Sequence, residues 1–177
     1  MTDESFVMDA DSFISSHRMH YGFDFCPGFW SAILMAHRQR RLVSIARVKD
    51  ELAGSEDELS DWVKQIAPES FFAKLDNQGV LVSYTEISEF VQNSTQYKAS
   101  AKAKFLDGAD PWLIAYAKVN RCTIVTHEVP APLSTTKVKI PDAAKHFNVD
   151  CIAPYEMLRR LPGCLTYQEE SGDRDLF

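Results

Sequence analysis

The chain has 177 residues, 45% of them hydrophobic and 25% charged, and carries a formal net charge of -6. That length and mixture describe one soluble globular domain, long enough to bury roughly 70% of the surface its unfolded chain exposes, so no disulfide or structural metal is needed to hold it. The acidic balance excludes indiscriminate nucleic-acid binding through the whole surface, though not a local basic groove.

Met1 is followed by Thr2, Asp3 and Glu4 instead of a basic leader, and no apolar run approaches membrane-spanning length, which predicts a cytoplasmic protein with no membrane contact. SFVMDADSFI then predicts a buried strand ending near Asp9 and a helix capped by Asp11 or Ser12. SHRMHYGFDFCPGFW reads as irregular chain, punctuated by Pro27 and Gly28. Its aromatics are better suited to the core than to stacking on bases. Trp30, Ile33, Leu34 and His37 recur at helical spacing and predict a helix over 29–41, closed by the basic HRQRR. A strand follows over 42–45, then a helical turn or two over 47–52, stopped by Gly54. Ser55 and Glu58 form a capping-box pattern ahead of a helix with Leu59, Trp62, Val63 and Ile66 on one face.

Residues 79–83 read as a short extended piece, and 83–91 and 95–106 as helices. Asp110-Pro111 opens a further helix over 110–119, with Asp at the cap and Pro at the first helical position. A buried strand over 122–126, a Pro-rich connector, TTKVKI, a helix over 141–147, a strand over 149–152 and a helix over 154–161 complete the domain, assigned to 1–165. A polar, mobile tail is expected over 166–177. Cys26, Cys122, Cys151 and Cys164 form no Cys-x-x-Cys pair, so neither a zinc ribbon nor a thioredoxin-like site is indicated; Cys122 and Cys151 read as reduced core residues. Strands separated by helices predict an α/β fold with a mainly parallel sheet, whose ligand site lies beyond the carboxyl ends of the strands.

Four acids carry the chemistry. Asp9 and Glu128 end apolar, strand-like runs, whereas Glu51 and Asp110 sit in helix-like patterns. Each has an ordinary explanation alone: Asp9 as a turn residue, Asp110 as a helix cap, Glu51 as solvated surface, Glu128 as a loop residue. Together they can meet at one edge of a parallel sheet, where their repulsion is tolerable only if cations share the site. Such a site suits phosphodiester cleavage.

In VMDADSFI, ARVKDEL, GADPWLIAYAK, TIVTHE and VDCIAPYEMLRRL, the chain resembles the PIN-domain nucleases over most of its length. FDFCPGFW and KVKIPDAA resemble a bacterial PIN-like branch close to the toxins of toxin–antitoxin pairs. The resemblance implies a three-layer α/β/α sandwich with a short, mainly parallel sheet. It implies Asp9, Glu51, Asp110 and Glu128 as an acidic centre for Mg2+ or Mn2+, supported by Asp11 and Thr126. Two departures stand out: the fourth acid is a Glu where the family usually has Asp, and Asp11 replaces the usual Asn or Ser.

The resemblance further implies an RNA substrate, a cognate antitoxin and, as in many PIN toxins, a homodimer. Candidate phosphate contacts are Arg38, Arg40 and Arg41, or Lys98, Lys102 and Lys104, although a solvated face explains either cluster equally well. His127, a lone histidine at a strand end, is more readily incidental than substrate-binding. Two rival readings compete. A haloacid-dehalogenase-type phosphatase would use Asp9 as nucleophile and Asp11 as general acid, but THEVPAP lacks that family's late pair of acids. A PIN-like module that binds RNA or protein without cutting is the other.

Overall fold

Apolar strands a few residues long alternate with longer helices, the pattern of a parallel sheet covered on both faces. The structure, a computed structural model, describes residues 4–163, so Cys164 and the expected tail lie outside the described residues. Strands β1 (Phe6–Met8), β2 (Leu42–Ile45), β3 (Phe72–Ala73), β4 (Thr123–Val125) and β5 (Cys151–Ile152) form one sheet in the order β3-β2-β1-β4-β5. Every pairing is parallel, with Phe6 opposite both Leu42 and Thr123, and Val7 opposite both Val43 and Ile124. From β1 the chain adds strands first to one side and then, at β4, to the other. The order therefore reverses between β1 and β4, the place where open α/β sheets open a crevice at their carboxyl ends.

The helices are α1 (Ala10–Ser15), α2 (Pro27–Arg38), α3 (Ala46–Ala53), α4 (Glu58–Gln65), α5 (Gln78–Asn93), α6 (Ala99–Asp107), α7 (Asp110–Asn120), α8 (Ile140–His146) and α9 (Pro154–Arg160). Helix α7 packs across β1, β2 and β4 and against α5 and α6. Its Leu113, Ile114, Ala115 and Ala117 are buried, the small alanines allowing close approach. Helices α1, α3 and α4 pack on one another, and α3 also meets β2 and β3. The result is the PIN-like three-layer α/β/α sandwich.

An aromatic cluster joins α1, α2 and α4. Phe13 lies 6.0 Å from Phe71, Trp30 lies 5.0 Å from Trp62, and Phe23 lies 4.4 Å from Trp30. The segment expected to be irregular in fact continues α1 as a π-helical stretch, Ser16–His20. The indole N–H of Trp30 donates to the Tyr21 carbonyl at 2.7 Å and pins the chain just beyond that stretch. Most of this segment's aromatics therefore serve packing, as expected; Phe25, 68% exposed, does not.

Several local expectations are corrected. Residues 79–83 are the first turns of α5, because the Asn77 side chain accepts from Gly79 N at 2.8 Å and starts the helix there. The two-residue β3 was not anticipated; it is too short for any alternation to register. Asp57 caps α4, accepting from Ser60 N, while the Ser55 hydroxyl donates to Asp57, so the expected capping box is absent and Ile66 is exposed. Helix α2 stops at Arg38, before a turn in which Arg40 takes a φ of 59°. No helix among the described residues is long and apolar enough to cross a membrane.

Phe13→Ala is expected to cost about 3–5 kcal/mol in chemical denaturation, because the fully buried ring leaves a cavity between three elements. Phe25→Ala should change stability by less than about 0.5 kcal/mol. Equal effects would place the cluster's energetic centre elsewhere.

Candidate active site

Asp9 is the first residue past β1, and its buried carboxylate joins the two strands that flank the reversal. Oδ1 accepts from Ser12 N at 2.7 Å, so Asp9 itself caps α1, in place of the expected Asp11 or Ser12. Oδ2 accepts from the Thr126 hydroxyl at 2.7 Å, just past β4. That hydroxyl accepts in turn from Glu128 N at 3.0 Å, which sets the course of the chain beyond β4. The Ser12 hydroxyl and Asp9 N both donate to the Val125 carbonyl at 3.1 Å, closing the seam.

Glu51, on α3, reaches across to α7, where Oε1 accepts from Ala109 N at 2.9 Å. Ala109 occupies the cap position of α7, Asp110 is the first helical residue and Pro111 comes next, which corrects the expectation that Asp110 caps the helix. Asp110 is thus a first-turn acid and not the cap. Among the described residues nothing donates a hydrogen bond to its carboxylate, which lines the same cleft as Asp9, Asp11, Glu51 and Glu128. The cleft, of about 520 Å³, is completed by His127, Lys137 and Lys139 among others.

The fourth acid is differently placed. Glu128 lines the cleft, but Oε2 accepts from Ile140 N at 2.8 Å, and Oε1 faces the Lys137 and Lys139 ammonium groups at 2.5 and 3.3 Å. Burial works to raise its pKa, yet Lys137, the Ile140 amide and Lys139 together draw it below the usual range. The opposite holds for Asp9 and Asp110. Burial is the main cause lifting Asp9 to about 6, against the donors on it. Asp110 is lifted to about 7, first by burial and then by the charges of Glu128, Asp9 and Glu51. The Cys151 thiol is pushed up to about 12, chiefly by burial and then by Asp9, so it stays protonated. The His127 ring stacks on His20 at 5.1 Å, and burial followed by His20 holds its pKa down.

The structure therefore brings Asp9, Asp11, Glu51, Asp110 and Glu128 into one cleft, with Thr126 beneath them, but not the expected basic contacts. None of Arg38, Arg41, Lys98 and Lys102 lines it. Arg41 donates to the Glu4 carbonyl and lies over the Phe6 ring at 6.0 Å, at the amino end of β1, opposite Asp9. Lys98 begins α6, and Lys102 Nζ donates to the Gln92 carbonyl at 2.8 Å. The cations that do line the cleft, Lys137 and Lys139, were missed. Their signal was the alternation in Lys137-Val138-Lys139, which buries Val138 and turns both lysines the same way.

Among the described residues no three Asp, Glu, His or Cys side chains already converge on an ion-sized point. The carboxylates surround a cleft instead of forming a closed cage. Donors that are all oxygen, with the charges of Glu128, Asp9 and Glu51 opposing that of Asp110, fit a hard divalent cation that keeps part of its own water.

The family model described as a domain of unknown function, DUF4411, matches residues 6–163. The chain belongs to that family. No curated protein matches it significantly. Among solved structures, that of FitAcB from Neisseria gonorrhoeae is similar, with a TM-score of 0.52 and 14% identity over 85% of this chain and 98% of that chain. This likeness is one of fold, and it agrees with the PIN-like sandwich of the DUF4411 chain.

Asp110 binds its proton more tightly in the folded DUF4411 protein than in the unfolded chain. Its contribution is fully present below 3.8 and is lost as pH rises through about 7. Asp110→Asn removes that loss, whereas the opposing contribution of His127 is common to both proteins and cancels. In metal-free buffer the variant is expected to gain on wild type between about pH 4 and 7, at up to about 1.4 kcal/mol per pH unit, read as a difference in denaturant midpoints. A gap that closes with rising pH would contradict the charge repulsion inferred here.

Proposed function

We propose that this DUF4411 protein is a metal-dependent endoribonuclease using Mg2+ or Mn2+, and the toxin of a toxin–antitoxin pair. The observation that carries the nuclease reading is Asp110, uncommitted, desolvated and charge-strained beside Asp9 and Glu51 at the sheet's reversal point. An acid in a helix's first turn is ordinary, but one with no donor on it among the described residues and opposed by three other carboxylates is not explained by a helix start alone. The toxin and antitoxin assignment rests on the PIN-like resemblance.

The roles divide by how each carboxylate is held. Asp9, clamped by Ser12 and Thr126, offers fixed oxygens with lone pairs to spare for an ion. Asp110, with no donor on it among the described residues, is the acceptor that would complete the binding set. Glu51 has one oxygen tied to α7 and the other available. Asp11, exposed at the rim, is placed to hold ion-bound or substrate-bound water. When bound, the divalent ion supplies charge neutralisation and an acidified water for attack on a phosphodiester. The protein's own contribution is to fix the acids, exclude bulk water from Asp9 and leave one side of the cleft open to a strand of RNA.

Single-stranded RNA is expected to be cut in Mn2+ or Mg2+ and left intact in EDTA. Asp110→Asn should reduce the rate by about a hundred- to a thousandfold, an amount typical of removing a group that stabilises transition-state charge, while circular dichroism stays native. RNA that is bound but left whole by wild-type protein in excess, with either metal, would replace this reading with the non-cutting module.

A further inference from the structure

A cleft lined by five carboxylates is hostile to a polyanion, and bound cations account for only part of the remedy. The remainder lies on the segment between β4 and α8. Lys137 and Lys139 project from an extended stretch whose middle residue, Val138, is buried, so both ammonium groups turn to the same side. Both reach the same oxygen of Glu128, whose side chain is only 8% exposed, while its other oxygen is fixed by the Ile140 amide at 2.8 Å. Glu128 is thus a buried anchor tied to the start of α8, and the lysines are held by it. An ammonium group has three donors, and bonding Glu128 uses one. The Lys137 side chain is 50% exposed and Lys139 23%, leaving their other donors toward the open side of the cleft.

We propose that Lys137 and Lys139 form the phosphate-binding rim of this cleft, contacting the backbone of a single-stranded nucleic acid beside the acids, with Glu128 positioning them instead of serving as a metal ligand. This rests on the nuclease reading given above. It explains why the fourth acid is a Glu, since the extra methylene lets one carboxylate reach a backbone amide and two lysines at once. It also supplies the cleft with the basic contacts that Arg38, Arg41, Lys98 and Lys102 do not provide. Lys137, the more exposed, is the principal contact.

The test measures binding of a fluorescein-labelled single-stranded RNA by anisotropy over a range of KCl concentrations, with EDTA present so that no cleavage intervenes. Wild type is compared with Lys137→Ala, Lys137→Arg, Lys139→Ala and the double alanine variant. Lys64→Ala, on the exposed side of α4, makes the same charge change away from the cleft. Each lysine lost from the rim should reduce the slope of log affinity against log salt by about 0.7 and weaken binding about fivefold near 0.1 M salt. Lys137→Arg should retain most of the affinity, and Lys64→Ala should leave the slope unchanged. Where cleavage is measured, Lys137→Ala should raise KM with kcat near wild type. A double variant that is natively folded yet keeps the wild-type slope overturns the proposal while leaving the nuclease reading intact. Wild-type protein that neither binds nor cuts RNA overturns both.

Discussion

The hydrogen bond from Thr126 to Asp9 is the contact on which the rest of the site depends. It joins the residues that follow β1 and β4, the two neighbouring strands at which the sheet reverses its order. Parallel strands diverge at a reversal because their connections leave in opposite directions, and something must hold the seam together where the crevice opens. Here a buried carboxylate does so, accepting from one strand's continuation through Thr126 and from its own helix through Ser12. The arrangement is costly in isolation, since burial alone lifts Asp9 toward neutrality. It is tolerable because both oxygens find donors, and because the sheet and α1 leave the side chain no other direction.

From that fixed point the other acids acquire distinct characters. Glu51 and Glu128 resemble one another in composition but are bound to different tasks: Glu51 fastens α3 to the start of α7, and Glu128 fastens the segment after β4 to the start of α8. Each uses a helix's unsatisfied amide as its anchor, which suits a carboxylate because the amino end of a helix favours negative charge. Asp110 has no such anchor. It is the acid whose energy is least balanced by protein contacts, and so the one with most to gain from an added cation. The site is thus graded from a clamped carboxylate through two half-committed ones to a free one. On the proposed reading, such a gradation would let a cation be bound and released without unfolding the scaffold that holds the others.

Much of this was legible in the sequence, for reasons that differ by element. Strand β1 is wholly apolar and β4 nearly so, so the acids that follow them, Asp9 at once and Glu128 three residues on, stood out. The order of the acid-bearing segments carried the fold, because the alternation of strand and helix leaves few ways to thread a parallel sheet. What escaped was decided by side chains making contacts across the fold. Asp110-Pro111 looks like a capped helix start, and only the approach of Glu51 from α3 shows that the capping is done from elsewhere. Asn77 starting α5 and Asp57 starting α4 were hidden by neighbouring residues with equally plausible local roles. Charge clusters misled most, for Arg38 to Arg41 are dense in sequence but lie at the wrong end of the strands.

The lysines illustrate why charge density along a chain is a poor guide to charge in a site. Two lysines separated by one buried valine are worth more to a polyanion than a run of arginines on a helix end, because a buried partner fixes their direction before any ligand arrives. Glu128 lowers the number of conformations Lys137 and Lys139 must give up on binding, a cost that for a free lysine approaches about 2 kcal/mol. The same pairing keeps them from collapsing onto Asp110, whose charge also reaches Lys137. Were the lysines to neutralise Asp110 directly, the cleft would lose both its cations for substrate and its open acid for metal. On the proposed reading, Glu128 would keep the lysines available for phosphate while Asp110 stays available for metal.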